Sequence, residues 1–72
     1  MTERAYEEVK GLVRDTATRV ADDSPVPDFD TFSDRVHEQA FDELLGDERF
    51  DRVEAAEISG AVWDALYDLA HE

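Results

Sequence analysis

Apolar residues recur along this chain at intervals of three and four, the spacing of one helix face. From about residue 2 to 21, Tyr6, Val9, Leu12, Val13, Ala17 and Val20 share such a face, which predicts an amphipathic helix. Thr2 stands where an N-cap accepts a first-turn amide, and Glu3 follows where the helix dipole favours an acid. A second apolar face joins Val36, Ala40, Phe41, Leu44 and Leu45 and predicts a helix over about 32–45. It would open near Thr31 or Ser33 and close with Gly46 as the residue beyond its end, with His37 near the middle of its apolar face.

The third element, over about 52–70, contains EAAEISGAVWDALYDLA from Glu54 to Ala70, the most apolar stretch of the chain. On a helical wheel it carries two stripes. Ala55, Ile58, Val62, Ala65, Leu66 and Leu69 make a core face, while Ala56, Gly60, Trp63 and Tyr67 run along a neighbouring face. A helix this apolar is contacted on two sides. Helices of the same chain could cover both stripes, or the second could be an interface, with small residues allowing close approach and Trp63 and Tyr67 as anchors.

Between the first two helices, DDSPVPDFD from Asp22 to Asp30 predicts an acidic, proline-containing connector over about 22–31. Pro25 and Pro27 lack amide donors and push Ser24 and Val26 towards extended backbone. Val26 or Phe29 would tack the connector to the core. Before the third helix, GDERFDRV offers Phe50 and Val53 as anchors, in a short extra helical turn around Asp47–Asp51 or as the start of that helix. These elements predict an all-α fold, a small three-helix bundle in a single domain spanning 1–72.

Charge changes the picture of the surroundings more than of the fold. Twenty acidic residues against seven basic ones give a formal net charge of −13 on 72 residues, yet 42% of the residues are hydrophobic. That apolar content, helically spaced, argues against an acidic disordered tail. The first helix is neutral, Glu3, Glu7, Glu8 and Asp15 balancing Arg4, Lys10, Arg14 and Arg19. Arg4 is placed to pair with Glu7 or Glu8, and Asp15 with Arg19. The net charge therefore lies downstream. In low salt it would destabilise the compact state by self-repulsion, which a Debye length of roughly 3 Å in molar salt would remove. With eleven aspartates and a single lysine, the chain resembles small acidic cytosolic proteins of the haloarchaea. The resemblance is one of composition over the whole chain, and it implies a cytoplasm rich in potassium chloride. No signal-peptide core precedes the first helix and no apolar run could span a membrane, so a soluble cytoplasmic protein is expected.

The candidate chemistry is sparse. Without cysteine there is neither a disulfide framework nor a thiolate metal site. Five aspartates lie between positions 22 and 34, but with Asp28 and Asp30 as first and third ligands of a calcium loop, Ser33 and Gln39 would stand where glycine and glutamate are needed. Asp34 with His37 and Asp68 with His71 form two D-x-x-H pairs, short of the further carboxylates and the fourth helix of a di-iron bundle. A partly buried His37 with a hydrogen-bond partner is the expectation instead. No phosphate loop, nucleophile elbow or zinc-protease motif is present, so no catalytic residue, metal ligand, cofactor or small-molecule site is assigned and an enzyme is not expected. Ala56, Gly60, Leu66 and Leu69 can be laid on a helix-turn-helix template, with Trp63–Ala70 as recognition helix. That helix carries acids and no basic residue, so it cannot neutralise phosphates and nucleic acid is not expected as a partner. The expected function is a non-enzymatic interaction module, pairing with itself or docking a protein partner through Ala56, Gly60, Trp63 and Tyr67. The alternative is a helix-turn-helix-like accessory factor in transcription without strong direct DNA binding.

Overall fold

The computed structural model describes residues 2–23 and 28–71. They form three helices, α1 (Glu3–Asp23), α2 (Phe29–Leu45) and α3 (Ala55–Ala70), with a short 3-10 turn, Glu48–Phe50, between α2 and α3. There is no strand among the described residues. Each helix packs on the other two, giving the three-helix bundle that the apolar spacing predicts.

Each helix contributes a row of residues to one shared core. Val9, Val13 and Val20 come from α1, Val36, Ala40 and Leu44 from α2, and Ile58, Ala61, Val62, Ala65 and Leu66 from α3, with Phe50 of the 3-10 turn closing one end. Two polar residues share the interior. Thr16 continues the buried row of α1 and accepts a 3.3 Å hydrogen bond from Arg19, and Ser33 opens the buried row of α2. Their polarity hid both from an apolar pattern. Ala61, buried, was assigned to neither stripe of α3.

Capping chemistry explains the ends. Thr2 Oγ1 accepts the Ala5 amide at 3.1 Å, so α1 begins where its cap predicts. It runs on through Asp23, past the expected end at 21. The expected start of α2 near 32 is corrected to Phe29, because Asp28 is the N-cap and accepts the Thr31 amide at 2.7 Å. That bond holds the Asp28 carboxyl below its ordinary value. The connector is shorter than 22–31 at both ends, and the packing expected of Val26 falls outside the described residues.

Gly46 ends α2 in a right-handed conformation, φ −88° and ψ −2°, and not as a left-handed terminator. Its amide donates to Glu43 O at 3.2 Å and the next amide, of Asp47, to Leu44 O at 3.1 Å, a 3-10 tightening that satisfies the last carbonyls. Asp47 then caps the 3-10 turn by accepting the Arg49 amide at 2.9 Å. With Phe50 buried and the Val53 amide bonded to Phe50 O, Arg52 and Val53 continue the turn and Glu54 is the N-cap, so α3 starts at Ala55, not at 52. From there it is continuous through Gly60 to Ala70. A helix-turn-helix would bend at Gly60, where α3 runs on unbroken, so Ala56, Gly60, Leu66 and Leu69 do not frame the turn of such a motif.

Ion pairs form between elements and across a turn. Arg19 reaches Glu43 of α2 at 3.2 Å, and Arg49 bridges Glu8 of α1 at 3.0 Å and Asp47 at 2.8 Å. The hydrogen bond from Arg49 lowers the Asp47 carboxyl pKa, and Asp47 in turn raises that of the guanidinium.

Candidate functional site

The two apolar stripes of α3 have different fates. The core face is buried from Ile58 through Leu66 with Leu69 half-buried; only Ala55, the first residue of the helix, is exposed. All four residues of the second stripe, Ala56, Gly60, Trp63 and Tyr67, are exposed, Trp63 by 41% and Tyr67 by 64%. Within the chain α2 covers that face only in part, through His37 against one side of the Trp63 ring.

What lies beside it was not legible in advance. Phe29, expected to anchor the connector, begins α2 and is 60% exposed, its ring 6.5 Å from that of Phe32. His37 meets Ser59 and Trp63 while Phe29 and Ser33, earlier in α2, lie beside Leu66, Tyr67 and Ala70, later in α3, so the two helices run antiparallel and Phe29 stands opposite Tyr67. Between them lies an open groove of about 560 Å³. Ser33 and Leu66 are at its base, Phe29, Trp63 and Tyr67 line it, and Asp30 and Asp34 stand on the α2 side. The four expected interface residues therefore separate. Trp63 and Tyr67 belong to the groove; Gly60 borders a different, shallower depression beside Tyr6 and Asp64; Ala56 lines neither. Leu45, expected on the core face of α2, is also exposed, one residue past the buried row ending at Leu44, and lies outside the groove.

His37 fixes Trp63. The imidazole is stacked on the indole with centroids 4.3 Å apart and planes 11° from parallel, and on Phe41 at 5.5 Å and 10°. Its Nε2 lies 2.8 Å from Ser59 Oγ, the hydrogen-bond partner expected for a half-buried histidine. Burial pushes the imidazole pKa below 6.5, against the pull of Asp34 and Ser59. Neutral His37 thus holds the Trp63 ring as one wall of the groove. Tyr67 is held from the other end, stacked on His71 at 4.1 Å, while His71 Nδ1 lies 2.9 Å from the Tyr67 carbonyl.

No family model, curated protein or solved structure matches the chain. The chemistry of the site must be taken from its geometry.

That geometry offers contact and little reactivity. The two D-x-x-H pairs stay apart in use, His37 engaged with Ser59 and Asp68 accepting the Tyr6 hydroxyl at 2.6 Å. Among the described residues no three His, Cys, Asp or Glu side chains converge as metal ligands. The most perturbed group is the Tyr6 phenol, pushed up to about 12 by burial and by its hydrogen bond to the Asp68 carboxylate, with Asp64 and Glu7 adding negative charge. It ties α1 to α3 outside the groove. One polar atom at the groove has no counterpart: Ser33 Oγ is buried and finds no hydrogen-bond partner among the described residues. None of the described helices is long and apolar enough to cross a membrane.

Proposed function

We propose that this protein is a non-enzymatic interaction module whose docking surface is the groove between α2 and α3. One observation carries the reading: Phe29, Trp63 and Tyr67, from two helices, expose their rings around a single apolar groove. Solvent-exposed aromatics gathered in this way mark contact sites, whereas scattered ones need no explanation. Trp63 and Tyr67 are also of the residue types that dominate binding energy when a partner buries them. Rings clamped by His37 and His71 lose less side-chain entropy on binding than free ones. The charge of −13 supports a setting in a salt-rich cytoplasm, where screening relieves the self-repulsion of an acidic surface.

A photo-crosslinking residue placed at Tyr67, and separately at Asp42 outside the groove, tests this in cells. Discrete adducts from position 67 and none from position 42 are expected, and an adduct at twice the chain mass would identify a second copy. Equal labelling from both positions, or none from 67, refutes the docking role.

A further inference from the structure

We infer that the occupant of the groove is a basic amphipathic helix supplied by another protein, a deepening that rests on the docking role just proposed. The shape favours a helix. On α3 the groove is lined by Trp63, Leu66, Tyr67 and Ala70, and on α2 by Phe29 and Ser33. These are i, i+3, i+4, i+7 on one helix and i, i+4 on the other, the paired ridges between which a further helix packs. Seated there, it would complete a fourth side of the bundle, as an apolar helical face does in any helix-in-groove complex. The rings are not arranged to cage one small cation, because His37 already occupies one face of Trp63 and His71 one face of Tyr67.

Charge selects the kind of helix. Asp30 and Asp34 line the α2 side of the groove, and both are exposed. Lysine or arginine flanking the apolar stripe of an incoming helix would meet them, which is electrostatic complementarity of the kind that fixes partner and register. A second copy of this chain meets the opposite condition. A symmetric pair through this groove would bring Asp30 and Asp34 of both copies to one interface, on a protein already at −13. The groove therefore disfavours its own kind and favours a cationic partner.

Because recognition here is by apolar stripe and flanking charge alone, a generic helix suffices as probe. An 18-residue leucine/lysine amphipathic peptide is titrated against the full chain, with Trp63, the single tryptophan, as fluorescent reporter. A leucine/glutamate peptide with the same apolar face is the comparison. Working in 1 M potassium chloride, where the Debye length is roughly 3 Å, removes diffuse attraction to the acidic surface and leaves contact pairs. The lysine peptide is expected to bind and the glutamate peptide to bind at least about tenfold more weakly. Phe29→Ala and Tyr67→Ala, at exposed positions that the fold does not need, should each weaken the lysine peptide about tenfold. Asp30→Asn with Asp34→Asn should weaken it about threefold more than Asp15→Asn with Asp42→Asn, which removes the same charge away from the groove.

Equal losses from the two asparagine pairs, or equal binding of the two peptides, overturn the charge selection. Sedimentation of the peptide-free chain separates the two levels. A dimer that Phe29→Ala and Tyr67→Ala dissociate keeps the docking surface and overturns the basic helix as occupant. A monomer that binds neither peptide overturns the basic helix as occupant, and the cross-links from position 67 then decide whether the docking surface falls with it.

Discussion

Replacing Ser33 by alanine should make this protein more stable. The Ser33 hydroxyl is buried at the base of the groove with no hydrogen-bond partner among the described residues, and the residue as a whole is only 8% exposed. An unsatisfied buried hydroxyl costs about 1–3 kcal/mol of desolvation, which Ser33→Ala removes. Alanine also adds a few tenths of a kcal/mol of helix propensity within α2. Against this stands the loss of one oxygen atom's packing contacts, so a net gain of about 1–2 kcal/mol is expected. For a domain of this size that raises Tm by on the order of 10 °C. Urea titration and thermal melting by circular dichroism, at fixed potassium chloride, measure it. Ser59→Ala supplies the opposite sign, since it strips the 2.8 Å hydrogen bond from His37 Nε2 and should lower stability by about 1 kcal/mol. A Ser33→Ala protein no more stable than wild type would refute the reasoning, and would mean that the hydroxyl is satisfied in solution, by water or by a carbonyl of the preceding turn.

Three further outcomes are expected. Tyr6→Phe should cost about 1 kcal/mol at neutral pH by removing the hydrogen bond to Asp68. Because the folded-state phenol is raised to about 12 from an ordinary 10, wild type should also lose stability as pH rises from 10 to 12, a loss that denaturation of Tyr6→Phe over the same range should lack. For His37 the folded-state pKa is lowered, so the stability it contributes is complete above pH 6.5 and declines as pH falls through the folded value. His37→Gln should flatten that acid limb in urea titrations from pH 7.5 downwards, and an unchanged slope would detach the limb from His37. Gly60→Ala adds a methyl group into open space on an exposed helix interior and should stabilise the fold by about 0.5–1 kcal/mol. Destabilisation there, read by thermal melting, would mean that α3 is not a continuous helix at Gly60.

The bundle was legible because its core is written in apolar residues at helical spacing, and Val9, Val13, Val36, Ala40, Ile58 and Val62 all fall where that spacing puts them. Positions set by hydrogen bonding were less so. Thr16 and Ser33 are interior but polar, and α2 starts at Phe29 because the Asp28 carboxylate captures an amide, which no hydrophobic pattern encodes. Trp63 and Tyr67 were recognisable as a stripe apart from the core. Phe29 was not recognisable as their neighbour, since its place opposite Tyr67 depends on α2 and α3 running antiparallel, a long-range fact. The stacking of His37 on Trp63 belongs to the same class.

The size of the apolar arc on α3 explains why one face is left over. At 100° per residue the buried positions, from Ala61 round to Leu66, span roughly 140° of the helix. Two neighbours in a three-helix bundle can reach little more than this, since each helix faces the central core with one side only. Tyr67 lies roughly another 100° beyond Leu66, and Ala70, Trp63 and Ala56 fall in that interval. Both α1 and α2 already pack on α3, and beyond the His37 ring against Trp63 no helix of this fold remains to cover the strip. Widening an apolar arc beyond what the bundle can bury adds nothing to the stability of the monomer, because burial is what makes apolar area favourable. Aspartate or lysine at 67 would serve the isolated fold about as well and its solubility better, whereas Trp63 gains only its stacking on His37 from the fold and leaves 41% of its surface in water. A tryptophan and a tyrosine there, with a phenylalanine facing them from α2, bury their exposed area only when something outside these three helices lies against them.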